Sequence, residues 1–378
     1  MNYCPYENSG HILDYLLENF DRVILFSIAY HTLKFKQGMN KISTFEKGKI
    51  VSEEHLLYLK IPQNMVLIFI PLRSFVNACQ IVYKTTQLFI KYGSIDVFFS
   101  VNAFTSVIGI FLEKIGLVKR TVFWVWDYYP VNHPRIIVRI MRWLYWRFDK
   151  WATYSDRVVY LNRRLAQVRV DAGLIHKGTK YPLVPIAMGK LSPIKRKDLA
   201  KIKLGFIGVL KKSQGLDMLF DSAEGLARKF KQLTFEIVGS GPDENYFRGK
   251  AANSPIKFNF YGLVSDKKFK EILYGCTIGI APYTPEDSNV SRYGDPGKVK
   301  RYLEFNLPAI ITNVFEFSKE LALEKAGIVI KYGDAIGLAN AITQIVTKYD
   351  YYVQNVVKLH QKFYYRKIYP TMFDLENG

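Results

Sequence analysis

Asp295-Pro296-Gly297-Lys298-Val299-Lys300-Arg301-Tyr302-Leu303-Glu304-Phe305-Asn306-Leu307-Pro308 lies between two apolar runs. Thr277-Ile278-Gly279-Ile280-Ala281-Pro282 precedes it and Ala309-Ile310-Ile311-Thr312 follows it. A buried strand, a loop, a short helix opened by Pro-Gly and a second buried strand is the order of a nucleotide site in an α/β fold. The start of such a helix turns free N–H groups and the positive end of its dipole toward an anion above it. Lys298, in the first turn, adds a full charge at the same place. The segment therefore predicts a diphosphate site, with an ordinary crossover carrying solvated lysines as the alternative.

Around this segment the second half of the chain alternates strands and helices. Lys203 to Gly208 reads as a strand ending in glycine, then a polar loop, then helical spacing from Leu216 to Phe230. Further strands are expected at Leu233 to Val238, Lys257 to Tyr261, Ile278 to Ala281, Ala309 to Thr312 and Ile328 to Ile330, with a helix from Asp266 to Tyr274. Units of this spacing predict a mostly parallel, doubly wound sheet. The first half alternates with weaker punctuation, its candidate strands being Val23 to Ser27, Met65 to Phe69, Asp96 to Ser100, Thr121 to Trp126 and Arg157 to Tyr160. His11 to Phe20 reads as a helix, and a strand before it is reduced to about Asn2 to Tyr6 or missing. Between the halves, Tyr181 to Lys203 is rich in Pro, Lys and Gly and reads as a hinge. The expected organisation is a first Rossmann-like domain over 1–184, a second over 185–350, and a helical segment over 351–378 returning to the first. The ligand cleft is expected between the two domains, at the carboxyl ends of the strands.

The bulk composition bounds the partners. A chain of 378 residues supports two cores, and 49% hydrophobic residues with 15 prolines argue against extensive disorder. A formal charge of +20 calls for an acidic partner: nucleic acid, an anionic membrane surface or a phosphorylated substrate. Cys4, Cys79 and Cys276 are odd in number and far apart, which suits a reducing cytoplasm. Ile95 to Leu112 is the most apolar stretch, but Asp96, Asn102, Thr105 and Ser106 interrupt it. It reads as a strand entering a helix rather than a membrane span. No signal peptide is expected.

Several stretches, in order, resemble the GT-B glycosyltransferases of the retaining family 4 (glycosyltransferase group 1) type. Tyr154-Ser155-Asp156-Arg157-Val158-Val159-Tyr160-Leu161-Asn162 resembles the "a-D-x-V-i-x-x-S" strand, and Val184-Pro185-Ile186-Ala187-Met188-Gly189 the "v-i-P-n-G-i" linker. Phe206-Ile207-Gly208-Val209-Leu210 with Gln214-Gly215-Leu216-Asp217 resembles the donor loop. Ile237-Val238-Gly239-Ser240-Gly241-Pro242 and Tyr261-Gly262-Leu263-Val264 follow in the family's order. The opening segment is similar to the variant "P-s-K-x-x-E-Y-L-a-x-G-x-P-V-i". The resemblance runs from about Thr121 to Phe373.

The resemblance implies an α/β fold of two Rossmann-like doubly wound domains facing across a cleft. It also implies roles. Gly208 would let the backbone approach a phosphate, and Gly239 and Gly241 would close a strand where the nucleobase edge lies, or simply make a turn. Lys298 would neutralise the leaving diphosphate, in place of a divalent metal. No Asp-x-Asp motif is present, and no metal or cofactor is expected, the nucleotide-sugar being a substrate. Arg301 stands where the family carries a glutamate for the ribose hydroxyls, and Tyr293 where it carries a second one. Glu304, one turn on, is then a substitute hydroxyl ligand and Arg301 a second phosphate ligand. Val209 and Gln214 occupy positions where Arg and Lys are common, with Lys211 and Lys212 between them as candidate donor-binding residues.

Phe123-Trp124-Val125-Trp126-Asp127-Tyr128-Tyr129-Pro130 resembles the family's "x-x-H-D-x-x-P" strand end, with Trp126 at the usual histidine. Asp127 would orient the acceptor hydroxyl, or else only cap the following loop. His133 is a weaker candidate. Arg135 to Trp151 advances as a helix whose Arg135, Arg139, Arg142, Lys150 and Trp146 share one stripe, flanked by Trp143. Ile137, Ile140, Met141, Leu144 and Phe148 are expected to face inward. The basic, Trp-bearing stripe fits anionic lipid headgroups, with a solvated basic face as the alternative. Lys34-Phe35-Lys36 and Arg163-Arg164 add basic patches.

The reading is therefore a hexosyltransferase at the cytoplasmic membrane face. It passes a sugar from a nucleotide-diphosphate donor to a lipid-linked or glycan hydroxyl, with retention and without metal. No nucleic-acid partner is expected. The rival readings are a nucleotide-sugar epimerase on the same layout, and a non-enzymatic protein binding membranes or nucleic acid.

Overall fold

In the first half of the chain, helix α1 (Ile12–Asn19) leads into strand β1 (Arg22–Ser27), where helical and apolar spacing predict them. The computed structural model describes residues 9–28, 40–62, 65–130, 132–175, 181–286 and 289–374. Asn2 to Tyr6 and Lys34 to Lys36 lie outside the described residues. Contacts divide the chain into two compact units, residues 1–185 with 368–378, and residues 186–367.

β1 pairs antiparallel with β2 (Lys41–Glu46), and β2 with β3 (Lys49–His55). The connecting Lys47 and Gly48 both have positive φ, 48° and 75°, the geometry of a tight hairpin turn. The sequence reading missed this meander because β3, mostly exposed, carries charged rather than apolar residues. Met65 to Phe69, expected as a strand, instead enters the first turns of α2 (Val66–Tyr92). A five-residue apolar run fits either element, and here helix continues for 27 residues.

A parallel sheet of β4 (Ile95–Ser100), β5 (Val118–Val125) and β6 (Arg157–Tyr160) completes the first unit. Helices α3 (Ala103–Lys114) and α4 (Ile136–Ala152) make the two crossovers, and α5 (Arg163–Asp171) follows β6. Asn102 and Asn162 cap α3 and α5 through their side chains. Asp156 accepts from the Thr121 amide at 2.7 Å, tying β6 to β5. Trp124 is wholly buried and donates to the Val184 carbonyl at 2.8 Å. Tyr369 stacks edge-on against it, 5.5 Å between ring centres, so the last turns of the chain belong to this core. The stretch after 350 is thus split: the helix over Tyr349–Lys362 lies in the second unit, and only from Ile368 does the chain rejoin the first.

The second unit is a six-stranded parallel sheet ordered β12-β11-β10-β7-β8-β9. Its strands are β7 (Ile202–Ile207), β8 (Leu233–Val238), β9 (Lys257–Gly262), β10 (Ile278–Ala281), β11 (Ala309–Thr312) and β12 (Gly327–Ile330). The interleaved helices are α6 (Asp217–Asp221), α7 (Ala223–Lys229), α8 (Glu244–Ala252), α9 (Asp266–Gly275), α10 (Gly297–Glu304), α11 (Ser318–Leu323), α12 (Ala335–Thr347) and α13 (Tyr349–Lys362). Two apolar clusters cover the two sheet faces. Leu204, Phe206, Phe235 and Ile280 pack with α7, α8 and α12, and Ile207, Ile311, Val299 and Leu303 with α9, α10 and α11. A sheet buried on both faces needs continuous apolar strands, which is why this half is so legible. Both units are Rossmann-like α/β domains. Among the described residues no helix is long and apolar enough to cross a membrane.

Candidate functional site

The strand order of the second unit runs outward in both directions from β7 and β10, so the topology switches between these two neighbours. In open α/β sheets, the carboxyl ends at such a switch leave a crevice for ligands. Gly208 follows β7 there, and Pro282 and Tyr283 follow β10. Gly208 adopts φ 137° and extends the ladder by donating to the Val238 carbonyl at 2.9 Å. A Cβ on Gly208 would stand 3.0 Å from the Lys298 ammonium. The glycine thus makes room for the lysine head.

Gly239 and Gly241 act differently. A Cβ on Gly239, whose φ is 129°, would lie 1.9 Å from the Gly208 carbonyl oxygen, and one on Gly241 2.3 Å from the Leu210 oxygen. Both glycines are required for the loops after β7 and β8 to touch backbone to backbone, whatever lies above them. Gly215, at φ 78°, does the same for the loop after β10, its Cβ position falling 1.7 Å from the Pro282 oxygen.

Helix α10 forms because Val299, Tyr302 and Leu303 bury one face while Asn306, at φ 57°, turns the chain off the helix end. Tyr302 fixes its position. The phenol donates to the Ile280 carbonyl and accepts from the Ile207 amide, each at 3.0 Å, bridging β10 and β7 at the switch. At the helix start the Gly297, Val299 and Lys300 amides already donate to Asp295 and Pro296 carbonyls. The expected row of free amides is therefore largely used up, and what this helix start offers an anion is the charge of Lys298.

Lys298 lies partly open along its stem, but its ammonium is enclosed. It donates to Gln214 Oε1 at 2.6 Å and sits over the rings of Phe206 and Tyr283, 4.1 and 4.5 Å from their centres. Among the described residues no carboxylate pairs with it. Burial without a counter-charge pushes its pKa down to about 7. Gln214, Phe206 and Tyr283 were not foreseen as its partners; Gln214 at a commonly basic position was the available cue. Lys300, two residues on, is spoken for. It pairs with buried Asp295 at 2.5 Å, and Asp295 also accepts from the Ile186 amide at 2.7 Å.

The other donor-side candidates have competing partners. Arg301 pairs with Glu304 at 2.5 Å, and the other Glu304 oxygen accepts from the Gly189 amide at 2.7 Å. Glu304 thus ties the linker to α10, and Arg301, its side chain 35% exposed, pairs with it through one guanidinium nitrogen. Lys212 lies over the Tyr246 ring at 4.5 Å, while Lys211 is exposed.

In the first unit, Asp127 follows β5 at its carboxyl end. The Tyr129 hydroxyl donates to it at 3.0 Å. Protein crowds the carboxylate and presses its pKa up, but its side chain reaches solvent, which tempers that rise, and the Tyr129 hydrogen bond opposes it. The neighbouring Trp126 indole N–H is buried without a partner among the described residues. His133 accepts from the Arg135 amide at 3.1 Å and so shapes its own turn.

Helix α4 exposes a different stripe from the expected one. Arg142 donates to the Pro130 carbonyl at 2.6 Å and Trp146 to the Tyr129 carbonyl at 2.7 Å, so both fold back to hold the loop after Asp127. Ile137 and Ile140, expected inside, are exposed, as are Ile136, Trp143 and Trp151. Arg135, Arg139, Arg147 and Lys150 are exposed with them. The stripe differs because loop backbone carbonyls accept from Arg142 and draw that cation off the outer face. Asp149, the helix's one acid, is buried in a two-pronged pair with Arg169 of α5 at 2.5 and 2.9 Å. The outer face is therefore cationic and apolar at once.

Residues 201–348 match the model of a family described as glycosyl transferases group 1. A comparison with curated protein sequences gives no match. The fold is similar to sucrose-phosphate synthase from Thermosynechococcus elongatus, with TM-score 0.59 and 15% identity over 84% of this chain and 80% of that one. It is also similar to a TarM mutant of S. aureus solved with fondaparinux, alpha-GlcNAc-glycerol and UDP: TM-score 0.60, 12% identity, 95% and 74% of the two chains. HepE of Anabaena in complex with UDP gives TM-score 0.56 and 15% identity over 78% and 81%. At these identities the likeness is one of fold.

Proposed function

We propose that the chain, whose residues 201–348 match the glycosyl transferases group 1 model, is a glycosyltransferase whose donor is a nucleotide-diphosphate sugar with its diphosphate resting on Lys298. The observation that carries this reading is a desolvated ammonium at the sheet's switch point, held by a neutral amide and two rings and, among the described residues, by no carboxylate. A diphosphate is the anion of the right charge to complete that site. UDP, bound in two of the similar structures, is the first donor nucleotide to test.

In the proposed reaction, the bond between the sugar's anomeric carbon and the donor phosphate breaks, its electron pair leaving on the diphosphate. The acceptor hydroxyl oxygen bonds to that carbon on the same face, and its proton passes to the departing phosphate oxygen. Lys298 opposes the charge growing on the leaving group. Because the cation is already desolvated and fixed, it acts with little reorganisation. Asp127, with Tyr129 beside it and the Trp126 N–H close by in sequence, is assigned to the acceptor hydroxyl. The acceptor is a lipid-linked glycan or a glycan, and the outer face of α4 rests on an anionic membrane, with cations for headgroups and Ile136, Ile140, Trp143 and Trp151 for the interface.

Mass spectrometry of products formed from a panel of nucleotide-sugars and membrane extract tests this. Wild type is expected to give a glycosylated product, and Lys298→Ala to lose roughly 100-fold or more in turnover while staying folded. Near-normal turnover by a folded Lys298→Ala protein removes the proposed site.

A further inference from the structure

Helix α2 carries a large apolar stripe on its outer face. Its inward face is mixed: Ile81 joins the core with Ile108 and Leu112, and Arg73, Asn77 and Thr85 are almost wholly buried beside it. Arg73 donates to the Leu59 carbonyl at 2.7 Å, and Asn77 accepts from Asn40 at 2.9 Å. Its outward residues are Ile68, Leu72, Phe75, Tyr83 and Ile90, each at least half exposed, with Cys79 exposed among them. Helices normally hide such a stripe and show the polar one. We propose that this outer face is where two copies of the chain associate, their α2 helices packing antiparallel about a two-fold axis at Cys79.

The spacing of the stripe supports a two-fold. Ile68 and Ile90 are equidistant from Cys79, and so are Phe75 and Tyr83. In an antiparallel pair Ile68 therefore meets Ile90, Phe75 meets Tyr83, and Cys79 meets its own copy, the self-complementary pattern that an isologous contact requires. A shallow groove bounded by Ala78, Cys79, Val82, Tyr83 and Thr86 gives the facing side chains a place to seat.

Charge separates a second copy from a lipid surface. From Ile68 to Ile90 the only charged residues are Arg73, which is buried, and Lys84, which pairs with Glu54 of β3 at 2.5 Å. The stripe thus has no cation to offer a headgroup, unlike α4, and β3 sets the exposed carboxylates of Glu53 and Glu54 beside it. An uncharged apolar face is matched by itself. Six side chains burying on the order of 100 Å² each give about 600 Å² per copy. The total of about 1,200 Å² is the lower end of a stable interface.

Sedimentation of the full chain without detergent is expected to give twice the 43.8 kDa of one chain. A short bismaleimide should join two chains through Cys79 in a Cys4→Ser background, since helix axes in contact lie about 8–10 Å apart. Phe75→Glu with Tyr83→Glu should yield a monomer that keeps the wild-type circular-dichroism spectrum and a cooperative melting transition, lower by the lost association, and Cys79→Ser should abolish the cross-link alone. A monomer at every concentration overturns the proposal. So does a dimer that survives the double substitution or never cross-links through Cys79. If the double substitution instead removes binding to anionic phosphatidylglycerol vesicles from a monomeric protein, the stripe faces lipid and the proposal is wrong.

Discussion

Raising the pH from 6 to 8 is expected to weaken the binding of a nucleotide-sugar such as UDP-glucose about tenfold, through one residue. The diphosphate of a nucleotide-sugar is doubly esterified and keeps its charge across this range, so the titrating partner is the protein. Lys298 has a pKa near 7 in the free protein because its ammonium is desolvated between Phe206 and Tyr283 with only Gln214 as acceptor. If only the protonated form binds the anion, the free protein is almost fully competent at pH 6 and about one-tenth competent at pH 8. That tenfold loss corresponds to about 1.4 kcal/mol. Binding then carries proton uptake, about half a proton at pH 7 and about 0.9 at pH 8, because the bound anion restores the lysine's charge. Calorimetry in buffers of different ionisation enthalpy reads this uptake directly. Lys298→Met, which keeps the stem and removes the charge, should bind weakly and without pH dependence. The same shift bears on stability. The unfolded chain holds this proton to about pH 10.5 and the folded chain only to about 7, so this group's contribution to stability rises with pH between the two and is least favourable below 7. Lys298→Met should accordingly melt higher than wild type at pH 6. Affinity unchanged from pH 6 to 8, with no proton uptake, would refute the reasoning.

Other sites make separate demands. Gly239→Ala forces a Cβ to within 1.9 Å of the Gly208 oxygen at φ 129°, and should destabilise the second unit by more than about 3 kcal/mol in urea melts and abolish UDP binding. Asp149→Asn leaves Arg169 charged and buried without its partner, at a cost of about 3–5 kcal/mol by the same measurement. Ile140→Glu with Trp143→Glu should remove flotation with anionic vesicles. Arg142→Ala, although it also deletes a cation, should leave flotation near wild type and instead lower acceptor turnover by freeing the loop after Asp127.

The second unit was legible almost strand by strand, because a parallel sheet covered on both faces demands apolar runs bounded by glycine and helix. The first unit was harder for local reasons. β3 is a polar edge, Met65 to Phe69 carries no signal separating strand from helix, and Arg142 turned inward because loop carbonyls accepted it. Lys298 could be picked from the sequence as the charged residue of a helix's first turn. Its surroundings could not, since Phe206, Gln214 and Tyr283 come from three separate loops and strands that only the fold brings together. Arg301 and Glu304 pair with each other, which their spacing alone does not foretell. A spacing of one turn suits a shared ligand face and equally an ion pair within the helix.

The most direct measurement is a crystal structure of the protein with UDP. The account predicts the diphosphate at the start of α10, with a phosphate oxygen about 2.8 Å from Lys298 Nζ and Gln214 still accepting from the same ammonium. A diphosphate bound elsewhere, with no phosphate oxygen in contact with Lys298, would contradict it.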